Sequence, residues 1–138
     1  MRPPAAYYAD PVLSHLVREF SRRVNSVQKP AGTRLSSWWR NRSSNEDAHG
    51  QELSQHLAAL AADFVSPNSR ALVAAFQRAG LQAIYHNAGS GWHVHVQAYP
   101  RGFIARLIAA RPHLAGLLGL RARSAAPAAT PPARTIFT

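Results

Sequence analysis

Residues 89–97, GSGWHVHVQ, alternate apolar and polar side chains, the two-residue period of a half-buried strand. That alternation puts His93 and His95 on one face. Upstream, LQAIYHN at 81–87 has strand composition and NAGSG that of a turn, so the two runs predict an antiparallel hairpin. Residues 11–25, PVLSHLVREFSRRVN, instead space Val12, Leu13, Leu16, Val17 and Phe20 at helical intervals, with Asp10 as N-cap and Pro11 in the first turn. SPNSRALVAAFQRAG, 66–80, predicts a second helix, capped by Ser66 and ended by Gly80. KPAG at 29–32 reads as a turn and TRLSSWW at 33–39 as a strand, on which Trp38 and Trp39 would face opposite ways. The apolar run LAALAADFV, 57–65, suits either helix or strand. Residues 103–120 predict a helix broken near Pro112.

Two stretches lack a period. RNRSSNEDAHGQEL, 40–53, reads as a long loop, and loops of that length in a compact domain are usually functional or disordered. RARSAAPAATPPARTIFT, 121–138, is Ala/Pro-rich and reads as a flexible tail. The pattern therefore predicts an α+β fold: one domain over 1–120, with a small antiparallel sheet flanked by helices, and a flexible tail.

Composition narrows the chemistry. The chain has 138 residues, enough to bury a core, and no cysteine, so any metal must be held by His, Asp or Glu. Sixteen basic residues, all but one of them arginine, stand against six acidic ones. The net charge of +10 favours polyanions such as an anionic wall polymer or membrane surface. Nucleic acid is the weaker expectation, because no helix gathers arginines on one face and no known binding motif is present. No apolar run approaches the roughly 20 residues that span a bilayer, and MRPPAAYYADPV has no signal-peptide core.

A cysteine-free hydrolytic zinc site takes three ligands from His, Asp and Glu and keeps one position for water. Candidates are His56 and Asp63 in SQHLAALAADF, the loop residue His49, and the His93/His95 pair. Taken singly, each has a plainer reading. His56 suits a satisfied core histidine, Asp63 the cap of the helix near Ser66, and His86 a strand surface residue.

Together these residues resemble a known family. SWWRNRSSNEDAHGQELSQHLAALAADF, followed at a distance by an H-x-H strand, is similar to the D-alanyl-D-alanine carboxypeptidase family of zinc peptidases, which includes phage endolysins. The family pattern is an aromatic-Arg pair, an Asn, a Gly, then S-x-H-x-x-G-x-A-x-D. Trp39-Arg40, Asn45, Gly50, Ser54, His56, Ala61 and Asp63 fall on it without a gap, and the likeness spans residues 33–98. The resemblance implies a zinc peptidase fold, Zn2+ as cofactor, and peptidoglycan stem or cross-link peptides as substrate. It implies His56, Asp63 and His95 as metal ligands, with His93 beside them for proton transfer. Arg40 would bind the substrate carboxylate or steady the oxyanion, with Ser54 also on the substrate side. A phage lysin or virion component acting on the cell wall fits this reading; the alternative is an inactive zinc-binding structural protein of the same fold.

Two departures stand out. Ala59 replaces the usual glycine of H-x-x-G, a change expected to shift the strand locally. No carboxylate follows Asp63, so the base is His93, a loop acid from Glu46, Asp47 and Glu52, or absent altogether.

Overall fold

The computed structural model describes residues 2–42, 53–87 and 91–120. A short helix, α1 (Ala5–Ala9), leads into α2 (Pro11–Ser26). Asp10 starts α2 as expected: its Oδ1 accepts from Val12 N at 3.1 Å and Leu13 N at 2.8 Å, and Pro11 needs no partner at that position. The buried stripe of α2 is Leu13, Val17, Phe20 and Val24. After a turn at residues 31–32 the chain forms β1 (Arg34–Ser37), shorter than the strand expected over 33–39. The ambiguous run resolves into two pieces, a 3-10 helix (Gln55–Ala58) and β2 (Ala61–Val65).

Helix α3 (Ser69–Arg78) begins later than the sequence predicts, because Asn68 rather than Ser66 is its cap, its Oδ1 accepting from Ala71 N at 3.2 Å. Ser66 instead accepts from Asn68 N and shares a hydroxyl bond with Thr33, tying the helix start to the β1 turn. Gly80 ends α3 in the left-handed region, φ 81°, as expected. The hairpin strands follow as β3 (Gln82–Asn87) and β4 (Trp92–Gln97), then α4 (Phe103–Ala110) and α5 (Leu114–Leu117), parted at Arg111-Pro112. The expected turn at 88–90, most of the 40–53 loop and the 121–138 tail lie outside the described residues.

The four strands are antiparallel throughout, in the order β1-β2-β4-β3. The small antiparallel sheet is therefore present, and β2, from the run whose sequence suits either helix or strand, sits inside it. Strand alternation sorts the side chains. Ala62, Phe64, Val94, Val96 and Ala83 join Leu72 and Phe76 of α3 and the α2 stripe in one core. The opposite face, in register, carries Asp63 opposite His95 and His93 opposite His86. One sheet face builds the core; the other gathers every histidine of the three strands. No helix of the described residues is long and apolar enough to cross a membrane.

Candidate metal centre

His56 is held by a tightly specified turn. Ser54 Oγ accepts His56 N at 3.1 Å and caps the 3-10 helix. Ala59 closes it at φ 60° and ψ 28°, the left-handed conformation in which glycine is at ease and a Cβ is strained. The glycine of the resembled motif thus has a backbone reason. Alanine adopts the same conformation, and β2 begins two residues on without a break. Both tryptophans brace this turn rather than facing opposite ways on a strand. Trp38 Nε1 donates to Ala59 O at 2.9 Å, and Trp39 Nε1 donates to Leu57 O at 3.2 Å and Tyr7 Oη at 3.0 Å. Buried Gln55 clamps the far strand's exit, accepting from Tyr99 N at 3.1 Å and donating to Tyr99 O at 2.6 Å.

Asp63 lies on β2, five residues before the true helix cap, so the capping role open to it in sequence is excluded. Its Oδ1 is the focus of three imidazoles: His95 Nδ1 at 3.1 Å, His56 Nε2 at 3.2 Å and His93 Nε2 at 3.4 Å. Its Oδ2 pairs with Arg40, whose Nε donates to Ser37 Oγ at 3.0 Å. One ligand atom from each of His56, Asp63 and His95 lies within 4.8 Å of the others.

The outer nitrogens of these rings decide what the inner ones can be. His56 Nδ1–H donates to Trp38 O at 2.6 Å. His93 Nδ1–H donates to Gly91 O at 3.1 Å. For His95 the logic has one more link. Gln97 Nε2 donates to Tyr99 O at 2.8 Å, which turns Gln97 Oε1 towards His95, and His95 Nε2–H donates to it at 2.8 Å. Each ring spends its proton on an outer carbonyl-type oxygen. In the neutral form each therefore presents a bare lone pair to Asp63 Oδ1.

Burial pushes the His56 imidazolium down, towards that neutral form, against the pull of Asp63. Burial also opposes charge on Asp63, but hydrogen bonds and charge from His56 and His95 outweigh it and hold the carboxyl well below its ordinary range. These tendencies conflict when protons are the only cations: an ionised carboxylate faces the His56 lone pair, which burial keeps unprotonated. A divalent cation among Oδ1, His56 Nε2 and His95 Nδ1 satisfies all three, and this donor set of two imidazoles and a carboxylate fits zinc.

The expected ligands therefore come together, with His93 beside them and Arg40 behind Asp63. Ser54 is adjacent, its hydroxyl oxygen accepting from His56 N in the turn. His49, Asn45, Gly50, Glu46, Asp47 and Glu52 lie outside the described residues. Three contributors were not foreseen: Gln97, Gln55 and the carbonyl of Trp38. Gln97 was visible as a same-face neighbour of His95, but its amide orientation depends on Tyr99. His86 also departs from the surface position expected of it. It is half-buried, with Nε2 enclosed and unpartnered among the described residues. Burial, then the charges of His93 and His95, push its imidazolium down.

No family model, curated protein or solved structure matches this chain.

Proposed function

We propose that this chain is a zinc-dependent peptidase acting on the stem or cross-link peptides of peptidoglycan. The observation that carries the reading is the convergence of carbonyl-anchored imidazoles on one oxygen of a buried carboxylate. The motif resemblance of residues 33–98 supplies the reaction class.

His56, Asp63 and His95 would hold the ion, which when bound would supply Lewis acidity to the scissile carbonyl and to an attacking water. His93 is the proton acceptor: Gly91 O holds its Nδ1–H, so its Nε2 is the basic nitrogen and faces the site. Histidine suits this task near neutrality, and no carboxylate follows Asp63 in the chain to take it instead. Arg40 holds Asp63 Oδ2 and keeps Oδ1 turned to the imidazoles; a planar guanidinium also suits a substrate carboxylate or a developing oxyanion. The excess of arginine would concentrate the protein on an anionic wall or membrane surface.

One observation favours a second reading. The missing downstream carboxylate also fits a zinc-binding structural or virion protein that keeps the fold without turnover. Metal content of the purified protein, measured with digestion of purified muropeptides, separates the two. Zinc with cleavage supports the peptidase, zinc without cleavage supports the structural reading, and a protein that binds no zinc overturns both.

A further inference from the structure

The metal centre uses His56, Asp63 and His95, and leaves a further histidine unexplained. His86 lies on edge strand β3, directly opposite His93 in the antiparallel register. Its Nε2 is enclosed, yet no described protein group bonds to it. An enclosed ring nitrogen without a partner is costly, and such groups in native proteins usually answer to a water, an ion or a ligand.

The ring spacing fits a shared metal ion. Two imidazoles on one tetrahedral ion, each nitrogen at about 2.1 Å, have ring centres roughly 5 Å apart. His56 and His95, the pair assigned to the first ion, are 5.2 Å apart. His86 and His93 are 4.7 Å apart at an interplanar angle of 73°, close to the same span and far from stacked. His86 and His95 are further apart, at 5.8 Å. Flanking β3 residues supply no competing positive charge, since Gln82, Ile84 and Tyr85 carry none.

We propose that His86 and His93 form a second, weaker site for a divalent transition-metal ion that prefers imidazole, such as Zn2+. A cross-strand histidine pair is a two-pronged clamp whose spacing the hairpin sets in advance, so little ordering is lost on binding. With two protein ligands rather than three, it fills after the first site. Filling it engages His93, which the proposed peptidase uses for proton transfer; that consequence rests on the peptidase reading, whereas the binding itself does not.

The test is equilibrium dialysis of the metal-stripped full chain against graded ZnSO4, with bound zinc counted by mass spectrometry. His86→Ala is expected to bind one equivalent fewer than wild type at high free zinc and to keep the tight equivalent. His86→Gln, which preserves size and polarity, should show the same loss. His56→Ala should do the reverse, losing the tight equivalent and keeping the one that depends on His86. Absence of the tight equivalent in wild type counts against the first centre alone. Ring 15N spectra give a direct readout: the His86 and His93 nitrogens should shift together as the second equivalent is added. Equal zinc uptake by wild type and both His86 variants, or second-equivalent shifts confined to other histidines, overturns the proposal.

Discussion

Gln97 touches no expected metal position, yet the structure makes it decisive for His95. Its Oε1 accepts His95 Nε2–H at 2.8 Å, which leaves Nδ1 as the lone pair facing Asp63. Replacing Gln97 with Leu removes that acceptor, so the ring is free to rotate or to place its proton on Nδ1. Loss of such an outer partner typically lowers metal affinity 10- to 100-fold, about 1.4 to 2.8 kcal/mol. The metal-free fold also loses both Gln97 hydrogen bonds, at about 1 kcal/mol each, although Tyr99 O keeps its bond from Gln55 Nε2 at 2.6 Å. Gln97→Glu is the matching control: a carboxylate still accepts from His95, and should hold zinc at least as tightly as wild type while losing the donor to Tyr99. The assay is chelator competition for zinc, paired with thermal melts of the metal-free proteins. Wild-type zinc affinity in Gln97→Leu, or an equal loss in Gln97→Glu, would refute the tautomer argument.

Three further outcomes follow from the same geometry. His95→Ala should abolish tight zinc binding, whereas His93→Ala should spare it and lower muropeptide turnover by about 10²- to 10⁴-fold; the opposite pattern in paired dialysis and activity assays would exchange their roles. Asp10→Ala removes the α2 cap and should cost about 1 kcal/mol in urea melts at pH 7. Backbone donation from Leu13, then the His113 side chain, holds the Asp10 carboxyl below its ordinary value, so its stabilisation is full above the unfolded carboxylate pKa of about 3.9 and disappears as pH falls through the lower folded value. A wild-type minus Asp10→Ala difference that persists unchanged at acid pH would contradict this. At Ala59, glycine relieves left-handed strain but loses a buried methyl and gains unfolded-state entropy, so Ala59→Gly should lie within about 1 kcal/mol of wild type. Ala59→Val adds branching and bulk at a fully buried site and should cost about 2 to 4 kcal/mol; a valine variant as stable as the glycine one would disprove the strain.

Local rules were enough for a large share of this fold. Asp10-Pro11 with the α2 stripe, Gly80, the break at Pro112 and the alternation of WHVHVQ all express short-range sterics or side-chain period, which neighbouring residues decide among themselves. The same alternation put His93 and His95 on one face, and the family resemblance of residues 33–98 singled out His56, Asp63 and Arg40. What remained open depended on partners distant in the chain. LAALAADFV became a 3-10 turn and a strand because β4 and β1 flank it on either side, a choice its own apolar run does not contain. Ser66 and Asn68 are both good caps, and Thr33, thirty-three residues away from Ser66, engages one of them and leaves the other to the helix. At the candidate metal centre the sequence named the residues but not their protonation. A histidine's free lone pair is set by whatever its other nitrogen meets, and here those partners are Trp38 O, Gly91 O and a glutamine turned by Tyr99. Only tertiary packing brings those oxygens to the rings, so only the fold decides that His56, His93 and His95 all turn a lone pair towards Asp63.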